Sequence, residues 1–305
     1  MDFFHDDTAE LKRMSEENLD AAERFARLLN APQPLFTSGE VSAFAADSGL
    51  SCDEAFPLLL DAALGTHDRR FAERYLKPAL RRVRPDEFRE DPYLSRIRFP
   101  EITEGSWSFR VMRYEPYQLF PCGHTRLLPD GRELPAIGYF TEPYAYPAVL
   151  ENGREWMTVT PNEILTMRKE AAEARGNVLA CGLGLGYFAF LASIRQEVTS
   201  VTVVEQSDCL ISLFERHLLP QFPDPGKIRI VRSDAFAYLQ EHAPLAGTDY
   251  VFADLWHDVG DGLPMYMVLR RLASRCPGTV FRYWIEEDML IFLRNLVLDE
   301  NEGTT

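Results

Sequence analysis

The chain has 305 residues, of which 46% are hydrophobic and 26% charged, and its formal net charge is −15 at pH 7. That charge argues against nucleic acid as a partner, because phosphate backbones are held mainly by Lys and Arg. No apolar run approaches the roughly 20 residues of a membrane-spanning helix. The start MDFFHDDTAE is unlike a secretion signal, and five scattered cysteines without a CxxC pair indicate neither a disulfide framework nor a metal site. We therefore expect a globular, cytoplasmic protein without a metal ion.

Residues 1–97 are predicted to form a helical N-terminal region. Apolar residues recur there at helical spacing with charges between them: Leu11, Met14, Ala22, Phe25 and Leu29. A further helix is predicted to begin at Ser51, because Ser51 and Glu54 have the spacing of a capping box. The run AADSGLSCDEAF, two helices about a glycine-containing turn, is also typical of a helix-turn-helix, but the net charge favours a plain helical bundle.

Residues 98–159 are predicted to form a small antiparallel β region. Asn152-Gly153 is a strong hairpin signal, because both central residues of such a turn need positive φ. Aromatic residues crowd this region, and most of them are expected to form its core. A lid over a ligand site is the alternative, with Tyr144, Tyr146 or Trp156 touching the substrate.

Residues 160–305 alternate between helix and strand patterns. Thr160-Pro161-Asn162-Glu163 predicts a helix start, with a Thr cap, Pro in the first turn and Glu three residues after the cap. Apolar runs of strand length follow, and helix-length segments lie after them: 178–181, 201–204, 228–231, 250–253 and 279–284. This order predicts an α/β fold, a Rossmann-like doubly wound and mostly parallel sheet with helices on both faces.

Three alternating glycines, Gly182, Gly184 and Gly186, follow the first strand of this sheet. In such sheets ligands bind beyond the carboxyl ends of the strands, and glycine there lets a ligand approach bare backbone. An ordinary tight turn with incidental glycines is the alternative interpretation.

Acidic residues are predicted at the ends of the next three strands. Glu205 ends the second strand, where a carboxylate can accept both hydroxyls of a ribose. Asp234 ends the third strand, where it can accept from an adenine amino group, and Asp254 ends the fourth. The three acids, in order after a glycine turn, indicate a nucleoside site.

The run 178–254 resembles the cofactor-binding half of class I S-adenosylmethionine-dependent methyltransferases, and within them the spermidine-synthase-like branch. GLGLGYFAFLAS, VTVVEQSD, IRIVRSDAF and DYVFADLWHD correspond in order to four successive motifs of that group, and the resemblance covers roughly 155–285. The resemblance implies a role for each matching residue: the methionine part of the cofactor at Gly182, Gly184 and Gly186, the ribose at Glu205, the adenine at Gln206, Asp234 and Ala235, and the sulfonium near Asp254. Met157 and Glu163 lie where such enzymes often complete the cofactor pocket.

The chain departs from the family pattern at two positions. Methyltransferases usually carry an acid two residues before the first glycine, where this chain has Ala180. Spermidine synthases carry an Asp within the run GGGDGG to hold the aminopropyl amine, where this chain has Leu185. The residue that holds the cofactor's amine stays open, with Asp254, Glu163 and a backbone carbonyl as candidates.

NAD is the alternative cofactor, because the glycine turn and Glu205 fit either ligand. Asp234-Ala235-Phe236 after the third strand favours S-adenosylmethionine, as does the helix that begins at Thr160 and leads into the first strand.

Methyl transfer needs positioning and the removal of a proton. His257 follows the fourth strand in the run Asp254-Leu-Trp-His-Asp258, and it is predicted to be the base, oriented by Asp254 or Asp258. Trp256 is predicted to form a pocket wall. A solvated surface histidine is the alternative interpretation of His257.

The sequence thus predicts an S-adenosylmethionine-dependent methyltransferase that acts on an unidentified small molecule. Whether the chain forms a homo-oligomer is left open by the sequence. One alternative is a non-catalytic module with this fold, which binds an adenosyl ligand or a protein. A spermidine-synthase-like aminopropyltransferase is a further alternative, disfavoured by Leu185.

Overall fold

The computed structural model describes residues 5–65 and 68–300, apart from the side chains of 5–9, 11 and 297–300. The chain divides into two compact units. The first unit comprises Met1–Glu87, Arg113–Tyr144 and Leu290–Thr305, and the second comprises Phe88–Met112 and Ala145–Met289. The division at residues 97/98 and 159/160 stays a prediction.

Helices occur throughout the described chain. They are α1 His5–Asn30, α2 Ser38–Ser48, α3 Cys52–Leu64, α4 Arg69–Phe71, α5 Lys77–Ala79, α6 Asp86–Arg89, α7 Pro92–Arg96, α8 Pro161–Glu173, α9 Tyr187–Ser193, α10 Asp208–His217, α11 Ala235–His242, α12 Val259–Ala273 and α13 Glu286–Glu300. A π-helical turn, Ala72–Leu76, joins α4 to α5, and 3₁₀ turns lie at Leu219–Gln221 and Pro225–Lys227.

The strands form one parallel sheet and several smaller sheets. They are β1 Leu80–Arg82, β2 Ile102–Glu104, β3 Trp107–Tyr114, β4 Phe120–Pro121, β5 Arg126–Leu127, β6 Glu133–Leu134, β7 Ile137–Tyr139, β8 Tyr144–Glu151, β9 Arg154–Thr158, β10 Gly176–Cys181, β11 Val198–Glu205, β12 Ile228–Arg232, β13 Tyr250–Ala253 and β14 Val280–Tyr283. The chain is therefore a mixed α/β protein.

The first unit packs its N-terminal helices around an aromatic core that includes Phe25, Phe56 and Tyr75. The predicted capping box of α3 is confirmed. The backbone N–H of Ser51 donates to the carboxylate of Glu54, and the backbone N–H of Glu54 donates to the hydroxyl of Ser51. Two small sheets complete the unit, one with the strand order β1-β7-β4 and one formed by β5 and β6.

The buried stripe of α1 differs in phase from the predicted one. It comprises Met14, Asn18, Ala21, Phe25 and Leu28. Of the apolar residues at helical spacing, Ala22 is exposed, Leu29 is half-buried and packs against the core, and the side chain of Leu11 lies outside the described residues. Asn18 is the reason for the difference, because a polar residue occupies a core position that an apolar pattern cannot reveal.

A four-stranded sheet with the order β2-β3-β8-β9 contains the antiparallel pairs β2–β3 and β8–β9. The predicted hairpin is confirmed: Asn152 and Gly153 join β8 to β9 with φ of 51° and 78°. Most aromatic residues of the region are buried, as predicted for a core: Trp107, Phe109, Tyr117, Phe120, Tyr139, Phe140, Tyr144 and Tyr146.

The second unit contains the predicted parallel sheet, with the strand order β12-β11-β10-β13-β14. Cys181 at the end of the central strand pairs with Val204 on one side and with Ala253 on the other. The residues that follow these strand ends therefore meet at one edge of the sheet. The helix that leads into the sheet begins at the predicted cap, where Thr160 and Glu163 form a capping box.

No helix within residues 5–65 and 68–300 has the length and apolar character that crossing a membrane requires.

Candidate functional site

A cavity of about 360 Å³ opens at the carboxyl edge of the parallel sheet, within the second unit. Its size falls in the range of about 300–1,000 Å³ that is usual for small-molecule sites. Most of the predicted site residues line it: Gly182, Gly184, Glu205, Gln206, Asp234, Ala235, Asp254 and His257. The predicted residues Gly186 and Asp258 do not.

The backbone of the turn after β10 requires glycine at two positions in the cavity wall. Gly182 has φ 98°, and a Cβ there would overlap the carbonyl oxygen of Asp254. Gly184 has φ 50°, and a Cβ there would overlap the sulfur of Met157. Both glycines are thus demanded by close packing inside the chain as well as by the turn.

Gly186 has both a conformational and a packing reason, since its φ is 75°. A Cβ at Gly186 would overlap the ring of Phe214, and the residue directly precedes α9. The two interpretations of the glycine run, a tight turn and a ligand wall, therefore do not apply equally to all three glycines. Gly182 and Gly184 fit both interpretations, and Gly186 fits the tight turn.

The carboxylate of Glu205 spans the ends of two strands. Its Oε1 accepts from the backbone N–H groups of Gln206 and Ser207, both at 2.8 Å, and its Oε2 accepts from Leu183 N at 3.2 Å. These three bonds fix the carboxylate in the cavity wall. A carboxylate offers about four acceptor positions, so capacity for a ligand hydroxyl remains.

Asp234 combines a structural bond with a place in the cavity wall. It is the cap of α11, and its Oδ1 accepts from Ala237 N at 2.9 Å. Within the described residues its Oδ2 has no hydrogen bond, so that oxygen can accept from a ligand donor.

Glu163 and Asp254 bring two acidic groups together in the cavity wall, where both are half-buried. Burial raises the pKa of Glu163 to about 7, against the opposing effect of its bonds to Thr160. Burial and, after it, the charge of Glu163 raise the pKa of Asp254 to about 8. The pair is therefore only partly ionised at neutral pH.

The cavity is acidic, and among the described residues no Lys or Arg lines it. Its acids are Glu155, Glu163, Glu205, Asp234 and Asp254, and none of them forms an ion pair with another described residue. Many surface acids of this chain do have an arginine partner, for example Asp208 with Arg232 at 2.8 Å. In the described part of the chain, no group of His, Cys, Asp and Glu side chains is arranged to hold a metal ion.

His257 lies at the rim of the cavity with a partner that the sequence pattern did not indicate. Its Nδ1 is 3.1 Å from Asp261 Oδ2, and its side chain is 52% exposed. Asp258 caps α12 by accepting from Gly260 N and Asp261 N, and Asp254 lines the cavity instead. Neither predicted acid therefore orients the ring. Asp261 does so because it faces back from the first turn of the helix.

Several aromatic residues line the cavity beside the acids. Trp256 occupies the wall, as expected, and Trp156, 41% exposed, stacks edge-on against His257 at 5.0 Å between ring centroids. The proposed substrate contacts Tyr144 and Tyr146 are buried and lie outside the wall.

Glu155 and Trp284 belong to the cavity wall but were not predicted as site residues from the sequence. Glu155 lies on the exposed strand β9, directly before Trp156 and Met157, and no sequence motif distinguishes it from an ordinary surface acid. Trp284 follows β14, and its indole N–H donates to Thr166 Oγ1 at 2.8 Å. Its position directly after the fifth strand end was a signal that could have identified it.

A buried hydrogen-bond network supports the glycine turn from behind. The side chain of Asp91 accepts from the backbone of Tyr93 and Leu94 and from the hydroxyl of Tyr187 at 2.9 Å. The hydroxyl of Tyr93 donates to the carbonyl of Leu185 within the turn. Because these hydroxyls and the Asp91 carboxylate are buried, the network fixes the turn between β10 and α9.

No family model matches the chain, and no curated protein matches it. Among solved structures it is similar to a putative SAM-dependent methyltransferase from Streptococcus mutans, with 19% identity over 42% of this chain and 36% of that one, at a TM-score of 0.32. It is also similar to spermidine synthase from Thermotoga maritima, with 12% identity over 50% of this chain and 55% of that one, at a TM-score of 0.33. The matches thus span about one third and about half of those two proteins.

Proposed function

We propose that the chain is an S-adenosylmethionine-dependent methyltransferase with a Rossmann-like doubly wound domain, acting on a small molecule. The observation that supports this most is the cavity beyond three neighbouring strand ends. A glycine turn, Glu205 and Asp234 lie there side by side, in a wall without Lys or Arg.

The residues present fit an adenosyl ligand in the following way. Glu205 would accept the ribose hydroxyls, and Gln206 would lie beside the adenine. Asp234 and Ala235 would bind the edge of the base, with Asp234 using the oxygen that the helix cap leaves available. Gly182 and Gly184 would adjoin the methionine part.

The charge of the cavity favours this ligand over NAD. A dinucleotide brings two phosphates, whose negative charge the acids of this wall would repel. Five acids and no Lys or Arg line this cavity. S-adenosylmethionine carries a sulfonium and an ammonium, which such a wall attracts.

The bound cofactor would supply a methyl group on a positively charged sulfur. The chain would position the acceptor and remove its proton. His257 is our proposed base, and Asp261 would orient its ring through Nδ1. Trp156 and Trp256 would contact the acceptor.

Aminopropyl transfer is less well supported. The position of the family's acid in the glycine run is occupied by Leu185, which is fully buried and does not line the cavity. An acid at that position would also point away from the ligand.

A non-catalytic module is the second candidate, and the position of Met157 favours it. Its thioether lies against Gly184, in space next to the glycine turn. A protein that retained the fold without binding the cofactor would tolerate a side chain at this place. Cytoplasmic location and self-association remain proposals that only the sequence supports.

Calorimetry with S-adenosylmethionine, S-adenosylhomocysteine and NAD tests the proposal. Binding of the first two and not of NAD is the expected result. Binding of NAD alone, or of none of the three, would contradict it.

Glu205→Ala should weaken binding of S-adenosylhomocysteine by about 1–3 kcal/mol, the scale for hydrogen bonds to a charged group. Glu205→Gln keeps an oxygen for the backbone N–H groups and shows whether loss of the charge is enough. Asp208→Asn is the matched control, because Asp208 lies on the same connection but outside the cavity. Unchanged affinity in both Glu205 variants would remove the ribose assignment.

A further inference from the structure

At the two positions where the family usually carries an acid for the cofactor amine, this chain has other residues, and both positions are buried. Ala180 lies inside β10 and is buried, and Leu185 is buried beneath the turn. Neither lines the cavity. A cationic group of a ligand would therefore have to find its counter-charge elsewhere in the wall.

Glu163 supplies one such counter-charge from the first turn of α8. Thr160 donates its backbone N–H and its hydroxyl to Glu163 Oε2. Both of these bonds use the same oxygen, Oε2, and among the described residues only the backbone N–H of Glu163 itself also bonds to the carboxylate. The helix cap thus holds Glu163 in the cavity wall.

Asp254 supplies the second counter-charge, directly after β13. Its backbone belongs to the strand end, since its N–H donates to Cys181 O at 3.0 Å. Its carboxyl group lines the cavity and, among the described residues, has no hydrogen-bond partner. Asp254 and Glu163 are close enough for their charges to interact.

A further polar group beside Asp254 also lacks a partner. Trp256 is 5% exposed and lines the cavity, and its buried indole N–H has no acceptor among the described residues. Buried polar groups without a partner are few in folded proteins, and one explanation is a missing ligand or water. The wall thus contains two acids without a cationic partner and, beside them, an indole N–H without an acceptor.

We propose that Glu163 and Asp254 together bind the ammonium group of the adenosyl ligand, an inference that rests on the proposed function. The helix before the sheet and the end of its fourth strand take over the role of the missing acids. The amino-acid part of the ligand then lies toward Trp256.

The ammonium group would change the protonation of the pair. The other titratable groups of the wall are Glu155, Glu205, Asp234 and His257, and no Lys or Arg is among them. Without a ligand the two carboxyl groups are partly protonated at pH 7, because burial raises both pKa values and the charge of Glu163 raises that of Asp254 further. A bound ammonium favours the ionised form. The carboxylic O–H bond then breaks, its electron pair stays on the oxygen, and the proton passes to the buffer.

Calorimetry with two ligands tests the proposal: S-adenosylhomocysteine and its deaminated analogue, which keeps the carboxylate and lacks the ammonium. The wild-type protein should bind the first at least about tenfold more tightly, the scale of a charged hydrogen bond. In buffers of different ionisation enthalpy, S-adenosylhomocysteine should release protons at pH 7, and the analogue should not.

Glu163→Gln and Asp254→Asn should each reduce the preference for S-adenosylhomocysteine and the proton release, and the double variant should bring the two affinities to within about threefold of one another and abolish the proton release. The amide in Glu163→Gln would keep an oxygen for Thr160, and thermal unfolding shows whether each variant folds. Asp224→Asn is the control for charge, because Asp224 is exposed and lies outside the cavity. It should leave the preference unchanged.

Equal affinity of the wild-type protein for the two ligands would overturn the ammonium site and leave the adenosyl site standing. Equal weakening of both ligands by the variants would overturn it as well. If neither ligand bound, the proposed function itself would fail.

Discussion

At Gly182 the obstacle to a side chain is backbone, whereas at Gly184 it is the flexible side chain of Met157. The carbonyl of Asp254 belongs to the end of β13, which is hydrogen-bonded to β10, so it cannot move without disturbing the sheet. A thioether can turn aside. The two neighbouring glycines should therefore differ in how they tolerate a methyl group.

Gly182→Ala should lower the free energy of unfolding by about 2–6 kcal/mol, the sum of left-handed backbone strain and overpacking. Gly184→Ala should cost less, and Met157→Ala in the same chain should recover part of the loss. Gly153→Ala is the matched control and should cost about 1–2 kcal/mol, since Gly153 has φ 78° and no heavy atom lies within 4 Å of the position that a Cβ would take. Urea unfolding measures all four variants. Equal losses in the free energy of unfolding for Gly182→Ala and Gly153→Ala would contradict a close contact between Gly182 and the carbonyl of Asp254.

Residues of the site could be predicted where an acidic residue lies at or just after the end of a strand. Glu205, Asp234 and Asp254 each lie at or just beyond the end of an apolar run, so the sequence pattern alone was enough to locate them. The partner of His257 could not be predicted in this way. Asp258 and Asp261 both follow the strand, and only the fold of the first turn of α12 decides which of them faces the ring.

At the scale of elements, the glycine turn is held by the helices around it. Tyr93 on α7 reaches the carbonyl of Leu185, and Tyr187 on α9 reaches back to Asp91. The turn thus has a fixed shape before a ligand arrives, which reduces the entropy cost of binding.

Tyr93→Phe should weaken binding of S-adenosylhomocysteine severalfold and lower stability by about 1 kcal/mol, because it frees the carbonyl of Leu185. Tyr250→Phe is the matched control. Tyr250 also donates its hydroxyl to a backbone carbonyl, that of Glu170 at 2.7 Å, away from the cavity. The control should show a similar loss of stability without the loss of affinity. If both variants bound the ligand alike, the network would be structural only.

Elements defined by local sequence were predictable. The capping boxes at Ser51 and Thr160 and the Asn152-Gly153 turn each depend on a few neighbouring residues. The buried face of α1 was not. Asn18 lies within it because it accepts from Tyr75 and Glu133 and donates to Gly131, all far along the chain.

At the scale of the whole molecule, each compact unit combines distant segments of the chain. In the first unit, for example, Asn295 of α13 donates to Glu133 of β6, 162 residues earlier. Contacts of this kind leave no local pattern, because each partner reads as an ordinary polar surface residue. The sequence could therefore predict the parallel sheet but not which remote segments join each unit.

The acidic pair should make stability depend on pH. An Asp or Glu titrates near pH 4 in the unfolded chain, whereas burial raises the pKa of Glu163 to about 7 and that of Asp254 to about 8. Between these values the folded state binds more protons, so its stability falls as pH rises from about 4 to about 8. The double variant Glu163→Gln, Asp254→Asn should lack this contribution.

Urea unfolding of the wild-type protein and of that variant, from about pH 4 to about pH 9, measures the difference. The wild-type protein should lose stability relative to the variant across this range up to about pH 8 and no further above it. A constant difference at every pH would mean that the pair is ionised in the folded state at all of them.

The central claim is that an adenosyl group lies across the ends of β10, β11 and β12, and a crystal structure with S-adenosylhomocysteine tests it most directly. We predict ribose hydroxyls on the carboxylate of Glu205, the adenine edge at Asp234, and the ammonium between Glu163 and Asp254. An empty cavity in crystals grown with saturating ligand, with Met157 still against Gly184, would contradict the account.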